Sequence, residues 1–389
     1  MSKIKIQTLS NISAVGLAEF PLDQYEISAE ASAPDAILVR STKMHDMDVP
    51  PSLLAIGRAG AGVNNIPLER MSELGIPVFN APGANANAVK ELVLAGMLLA
   101  ARNIPMAWRF AEKIDPTDDA FDSVVEAGKK KFKGFELPGR TLGVIGLGAI
   151  GASVANAANN LGMRVVGYDP SITVKSAWQL SAEVRQAMSV DDLLDQSDMV
   201  SLHVPLLDAT RDLLNESRFK IMRDGVVVLN FSRGGIVNND AVLAALESGK
   251  VGSYVCDFPA PELQHKPGVI ALPHLGASTD EAENNCAIMV AKQIMNYIED
   301  GAIVNSVNFP EVELSRKGLA RIAIVNQNQP DMISRVSKVL GEAGVNIEHL
   351  VNESREQVAY TLIDVSNPVT DEQVAAIKAV DGVIRVRVL

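Results

Sequence analysis

Aromatic rings are scarce in this chain: phenylalanine, tryptophan and tyrosine make up 4% of its 389 residues, against 47% apolar residues in all. Any large core must therefore be mainly aliphatic. Cysteine is scarcer still. Cys256 and Cys286 are the two present, which excludes a disulfide framework, and their spacing is no metal-binding motif. No metal is expected, and two thiols in a long chain fit a reducing cytoplasm. Long apolar runs are missing too. The longest, residues 92–101, falls well short of the ~20 residues that cross a bilayer; it reads as a buried helix, at a core or a subunit contact. Positive charge is short: 35 Lys and Arg against 47 Asp and Glu give a net charge of −12 and a pI near 5.0. That sets nucleic acid aside as a partner and leaves only local basic patches. The start, Met1-Ser2-Lys3-Ile4, runs straight into a strand-like pattern and reads as lacking a signal peptide. No repeat of ~20–50 residues stands out, and there is no low-complexity tract.

What is present begins with length. At about 150 residues per domain, the chain has room for two or three. Residues 141–169 organise it. Residues 142–145 form a short apolar run that predicts a buried strand. Gly146, Gly148 and Gly151 follow in G-x-G-x-x-G spacing, and the alanine-rich residues 152–161 predict a helix. Gly162 ends it, residues 163–168 predict a second strand, and Asp169 closes the unit. The glycine pattern alone is weak, but this one lies between strand and helix with its acid at the expected distance. Gly146 permits the tight turn, Gly148 lets a pyrophosphate approach the backbone, and Gly151 lets helix and strand pack closely. The free N–H groups of the helix start then face the phosphates. Asp169 would accept hydrogen bonds from a ribose 2′-hydroxyl. A 2′-phosphate would meet like charge there, and Pro170, Ser171 and Ile172 supply no arginine to offset it. The cofactor read from this stretch is NAD rather than NADP.

Ahead of that unit, residues 3–9, 36–40, 54–57 and 77–80 read as strands in a parallel α/β pattern. Residues 88–103 predict a helix crossing into the nucleotide domain. Residues 113–134 are polar, either a solvated loop or, through the lysines of 129–133, a cationic rim for an anionic substrate. Further on, strands at 198–203, 225–230, 252–256 and 269–272 end at polar residues. In open α/β sheets, ligands sit beyond such carboxyl ends. A helix spans 280–300 and a linker 307–317. From 318 the order becomes strand, helix, strand, strand, helix, strand, a ferredoxin-like split unit.

Oxidising a hydroxy acid needs, besides NAD, a base for the hydroxyl proton, a cation for the substrate carboxylate and a group that tunes the base. His274, in a glycine-flanked loop at a strand end, suits the base, and His203 at another strand end competes for that role. Arg233 suits the cation, because a guanidinium grips a carboxylate bidentately. Glu262, between them in sequence, would favour the imidazolium of His274 if it lay beside it. Each also has a plain reading, as a loop histidine, a surface ion pair and a solvated acid. His45, His265 and His349 lack such a setting and read as surface residues.

Five stretches then carry a resemblance: Val39-Arg40-Ser41, Gly57-Arg58-Ala59-Gly60, Gly146 to Gly151, Phe231-Ser232-Arg233-Gly234-Gly235, and Pro273-His274-Leu275-Gly276-Ala277-Ser278-Thr279. The last two are specific in combination. Together they resemble the D-isomer-specific 2-hydroxyacid dehydrogenases across residues 1–305. The resemblance implies two Rossmann-like, doubly wound parallel-sheet domains: residues 1–98 with 280–306 for substrate, and 99–279 for NAD, with closure of the cleft excluding water. It implies a catalytic set of Arg233, Glu262 and His274. It implies cofactor contacts at Gly146, Gly148, Ala149, Ile150, Gly151, Asp169, His203, Val204, Pro205, Phe231, Ser232, Asp257, Gly276 and Ala277, with Asp257 the acid near the nicotinamide. Substrate contacts fall on Arg40, Arg58, Ala59, Gly60, Lys130, Lys131, Arg233 and His274.

Within the family the likeness is to members that oxidise 3-phosphoglycerate to 3-phosphohydroxypyruvate, the entry to serine synthesis. Arg40 with Lys130 or Lys131 would hold the phosphate. Some positions depart from the family pattern. The usual Asp-Val-Phe-x-x-Glu is here Asp257-Phe258-Pro259-Ala260-Pro261-Glu262, Lys90-Glu91 replaces Ala-Glu, and Asn64 stands in place of a common Asp. Residues 318–389 resemble an ACT regulatory domain, which in such relatives binds serine as feedback inhibitor. Asn328 and Asn346 match two serine-binding positions; Asn326 replaces histidine and Asp331 replaces glycine. A serine effector and a purely oligomeric role, in a homodimer or homotetramer, both stay open. So do two other functions: an NADH-dependent reductase of another 2-oxo acid such as 2-oxoglutarate, and a non-catalytic NAD-sensing protein. The intact set of Arg233, Glu262 and His274 argues against the last.

Overall fold

The computed structural model describes residues 3–117 and 119–389. Met1 and Ser2, from the start read as leaderless, and Asp118, in the polar stretch, lie outside the described residues. Contacts divide the chain into two compact units. One runs up to Asn85 and again from Thr279 to Leu389; the other is Ala86–Ser278. Among the described residues no helix is long and apolar enough to cross a membrane.

In the first unit, β1 (Ile4–Leu9), β2 (Tyr25–Ser28), β3 (Ala36–Val39), β4 (Ala55–Arg58) and β5 (Val78–Phe79) pair in parallel in the order β2-β1-β3-β4-β5. β3 is buried along its whole length, as befits a central parallel strand covered on both faces. The helix Asp280–Asp300 lies on this sheet, its Val290 and Ile294 closing on Gly57 and Leu38. Its ends follow from sequence. Thr279 Oγ1 accepts from the Ala282 N–H at 3.1 Å, Asp280, Glu281 and Glu283 fill the positive first turn, and Gly301 closes it at φ 71°.

In the second unit, β6 (Thr141–Ile145), β7 (Arg164–Tyr168), β8 (Arg185–Gln186), β9 (Met199–Leu202), β10 (Val226–Asn230), β11 (Val251–Cys256) and β12 (Val269–Ala271) are parallel in the order β12-β11-β10-β9-β6-β7-β8. The winding reverses between β6 and β9, which opens a crevice at their carboxyl ends. Helix Ala86–Ala101 buries Val93 and Met97 in one core with Val154 and Ala155 of helix Ala149–Asn160. By contacts, the chain divides at the start of that helix, between Asn85 and Ala86. Residues 113–134 are not a plain loop. They include helix Phe121–Gly128 and the 3-10 turn Lys129–Phe132, whose Phe132 ring stacks on Phe110 with centroids 5.4 Å apart.

Back in the first unit, β13 (Ala320–Gln327), β14 (Ile347–Arg355), β15 (Val358–Val365) and β16 (Val383–Val388) form an antiparallel sheet ordered β14-β15-β13-β16. Strand alternation gives it two buried faces. Ile322, Ile324, Ile363 and Val365 meet Val336, Leu340 and Ile377 of the two C-terminal helices, Met332–Glu342 and Asp371–Lys378. Val325, Tyr360 and Leu362 on the other face join Tyr297, Ile298 and Phe309. This face also caps helix Asp280–Asp300. Tyr360 donates to the Gly301 carbonyl at 2.7 Å, and Arg387 to that of Ile298 at 2.6 Å. Arg321, 1% exposed, grips Asp364 bidentately at 2.6 and 2.9 Å and donates to the Asp300 carbonyl at 3.0 Å. Residues 307–317 are thus more than a spacer, since Phe309 and Val312 are buried and Val312 bridges to Ile303. The α/β class, the two parallel sheets and the β-α-β-β-α-β end agree with the reading from sequence.

Candidate active site

β6 delivers the chain to Gly146, whose φ of +90° suits glycine alone. A Cβ on Gly151 would strike the Gly146 carbonyl, so helix Ala149–Asn160 can start this close to the turn only with glycine there. A Cβ on Gly148 would meet nothing within 4 Å. That residue faces open space, and no side chain caps the helix behind it. The first N–H groups of the helix are thereby left for an anion. Asp169, just past β7, is pinned beside this turn. Its Oδ2 accepts from the Leu147 N–H at 2.8 Å and its Oδ1 from the Ser171 N–H at 2.9 Å. Each oxygen keeps a lone pair for a hydroxyl. The open glycine, the uncapped helix and the anchored carboxylate fit a dinucleotide whose ribose carries no 2′-phosphate.

His203 follows β9, its N–H donating to the Ile145 carbonyl at 2.7 Å. Its Nε2 lies 2.8 Å from Ser201 Oγ, while Nδ1 is sealed from solvent without a partner among the described residues. Burial lowers its pKa to about 4. An imidazole with so low a pKa is unprotonated but only weakly basic near neutrality. Val204 sits against the same turn, 2.9 Å from where a Gly146 Cβ would be.

β10 ends at Asn230, which is fully buried. Its amide donates to the Arg233 carbonyl at 2.9 Å and accepts from the Ser232 N–H at 3.2 Å. The loop is thereby folded onto the strand end, Phe231 packs on Gly96, and the Arg233 side chain emerges exposed. β11 ends at Asp257, 1% exposed. Its Oδ2 accepts from the Gly276 N–H at 3.2 Å and its carbonyl from the His274 N–H at 2.9 Å. Its Oδ1 is sealed and unpaired among the described residues. Burial raises its carboxyl above the usual range, against the opposing pull of His274, the Gly276 N–H and Arg233. Asp257 therefore ties the loop of His274, Gly276 and Ala277 to the sheet.

His274 is exposed and has a φ of +38°, a strained setting for a residue with a Cβ. Its ring rests on Phe258, with centroids 4.7 Å apart and planes at 44°. The Arg233 guanidinium carbon lies 5.9 Å from the same ring. The fold thus gathers His274, Arg233, Asp257 and Phe258. Glu262 is not joined to them. It is exposed, and its Oε1 accepts from the Asn239 amide at 2.7 Å. Among the described residues it makes no hydrogen bond or ion pair with His274. Its own N–H and the Asn239 amide hold its carboxyl below the usual range. Phe258 escaped the sequence reading, where its only signal was the departure from Asp-Val-Phe.

In the first unit, Arg40 and Arg58 lie at the carboxyl ends of β3 and β4. Arg40 Nη1 is 2.7 Å from Glu283 Oε1. Arg58 Nε donates to the Arg40 carbonyl at 3.1 Å. Its guanidinium covers Gly60, φ +155°, where a Cβ would collide with it. Ala59 between them is buried. A cavity of about 590 Å³ gathers Arg40, Lys43, His45, Asp46, Arg58 and Asn64. Lys43 escaped the sequence reading, and His45, read there as a plain surface residue, lines this cavity. Their only signal was closeness to Arg40 after a strand. Lys130 and Lys131 sit exposed on the 3-10 turn of the other unit.

At the C-terminal sheet a cavity of about 450 Å³ is lined by Asn326, Asn328, Asp331, Ser334 and Asn352, among others. Asn328 Nδ2 donates to the Glu356 carbonyl at 3.0 Å. Asp331 has a φ of +67°, a conformation glycine adopts freely. Asn346 is exposed and is not part of the described lining; its carbonyl accepts from the Ser366 N–H at 3.2 Å.

The sequence matches the family described as D-isomer specific 2-hydroxyacid dehydrogenase, NAD binding domain, over residues 94–276. It is 33% identical to the D-3-phosphoglycerate dehydrogenase of Haemophilus influenzae, covering 88% of this chain and 83% of that one. It is 34% identical to the D-3-phosphoglycerate dehydrogenase of Escherichia coli K12, covering 87% of this chain and 82% of that one. The fold is similar to that of the NAD+-bound 3-phosphoglycerate dehydrogenase of Entamoeba histolytica, with a TM-score of 0.61, 24% identity, and coverage of 79% of this chain and 99% of that one.

Proposed function

The chain belongs to the D-isomer-specific 2-hydroxyacid dehydrogenases and uses NAD, and on that premise we propose that it oxidises 3-phospho-D-glycerate to 3-phosphohydroxypyruvate, the entry to serine synthesis. The observation that carries this reading is the likeness to D-3-phosphoglycerate dehydrogenases over 87–88% of the chain. The cavity lined by the cations Arg40, Lys43 and Arg58, with His45 beside them, supports it, since a phosphate dianion draws several cationic donors.

Bound at the turn of Gly146, Gly148 and Gly151 and at Asp169, NAD would supply the acceptor for the C2 hydrogen and its electron pair. Arg233 grips the substrate carboxylate, and a ring nitrogen of His274 takes the C2 hydroxyl proton as the carbonyl forms. Asp257 holds the His274 loop in place. Glu262 completes the set by turning from Asn239 to His274. Arg40 exchanges Glu283 for the phosphate, helped by Lys43 and His45 or by Lys130 and Lys131. In this reading residues 1–98 with 280–306 bind substrate, 99–279 bind NAD, 307–317 connect, and 318–389 act as an ACT-type regulatory domain. The cavity at Asn328 supports an amino-acid effector, serine, and the chain acts as a homodimer or homotetramer. The buried free thiols of Cys256 and Cys286 support a cytoplasmic setting.

The test is NADH absorbance with 3-phosphoglycerate, with and without serine. Arg40→Ala should raise KM for 3-phosphoglycerate about tenfold or more, the worth of a charged hydrogen bond, and leave KM for glycerate nearly unchanged. Equal effects on both would remove the phosphate assignment. NADH formation from another 2-hydroxy acid alone would remove the substrate.

A further inference from the structure

We propose that Phe258 is a positioning residue of this reaction, a single aromatic ring that steadies both the His274 imidazole and the Arg233 guanidinium. The inference rests on the dehydrogenase reading above and deepens it. Base and cation must converge on one substrate, yet both side chains are exposed and they leave from different strand ends. Among the described residues the His274 ring has no hydrogen-bond partner. Its ring contact is Phe258, at 4.7 Å between centroids. The carboxylate expected to steady it, Glu262, is bound by Asn239. Arg233 is held at its own end by the Ser232 carbonyl, 2.6 Å from Nη1, and lies 5.9 Å from the Phe258 centroid.

Phe258 is itself well placed to serve as a fixed point. It follows the buried Asp257, and its Cβ lies 3.6 Å from where a Gly234 Cβ would stand. The ring is therefore anchored to the end of β11 and reaches the turn after β10. Its electron-rich face attracts a guanidinium within about 6 Å, and it attracts an imidazolium in the same way. When His274 takes the hydroxyl proton, two like charges share this corner. An aromatic ring touching both lowers the cost of that state, and a merely apolar side chain of the same bulk does not.

The experiment compares wild type, Phe258→Leu and Phe258→Tyr by steady-state oxidation of 3-phosphoglycerate, with NADH binding measured by fluorescence titration. With each cation contact worth roughly two- to fivefold, Phe258→Leu should lower kcat about tenfold, while Phe258→Tyr stays within about twofold of wild type. NADH affinity should move less than about twofold in both, which a merely structural role would not guarantee. If Phe258→Leu loses NADH binding, Phe258→Met replaces it in the comparison. Wild-type kcat in the aliphatic variant, or equal damage in the tyrosine variant, overturns the proposal. If wild type oxidises a different 2-hydroxy acid, the substrate reading fails and the same variants are compared on that acid. If wild type oxidises none, the positioning role falls with the activity.

Discussion

Burial at His203, whose Nδ1 is closed off from solvent, makes the second unit sensitive to acid. Burial lowers its pKa from 6.5 to about 4 in the folded chain, and unfolding returns it to the ordinary value near 6.5. Between those limits the unfolded chain binds a proton that the folded chain does not. Stability therefore rises with pH through this window; the contribution is fully present above about 6.5 and lost as pH falls towards 4. At about 1.36 kcal/mol per pH unit, the gap is worth about 3 kcal/mol. Asp257 pulls the other way: its carboxyl is raised by burial, so protonation as pH falls relieves a cost. Comparing wild type with His203→Gln at each pH cancels that contribution, because Asp257 is common to both. The two tryptophans, Trp108 and Trp178, lie in this unit, so their fluorescence follows it during urea unfolding. The wild-type curve should lose about 3 kcal/mol more than the variant between pH 7 and pH 4. Parallel losses would mean that the folded chain does not hold the His203 imidazole below its ordinary range.

Two further outcomes follow from buried or anchored charges. Asp169→Asn removes the charge beside Leu147 and Ser171; it should weaken NADH binding about tenfold, roughly the worth of one charged hydrogen bond, and narrow the preference over NADPH. Fluorescence titration with both cofactors reads this, and an unchanged preference would discharge Asp169 from selecting NAD. Arg321→Ala strands Asp364, whose side chain is 0% exposed, and should cost about 3–5 kcal/mol; a loss under 1 kcal/mol in thermal unfolding would show that the pair is dispensable.

What was legible in the sequence is what depends on neighbours along the chain. Gly146, Gly148 and Gly151 could be given separate tasks because a positive φ, an open backbone and a tight contact are each properties of one residue in one turn. The same holds for helix Asp280–Asp300, whose capping threonine, acidic first turn and closing glycine lie within its own span. β2 was missed because four residues, Tyr25–Ser28, offer too little alternation to separate a strand from a loop. Lys43, Phe258 and Asn239 were missed for a different reason. Their meaning comes from where other segments arrive, and no spacing encodes that.

Glu262 shows how far such reasoning reaches. Its place in the chain suggested a partner for His274, but the helix Asn239–Glu247 begins beside it and presents an amide. A carboxylate bound to a neutral amide is held less strongly than one bound to an imidazolium, because charge on both partners shortens and strengthens the bond. Asn239 would therefore hold Glu262 against a neutral ring on even terms, and would lose it to a cation within reach.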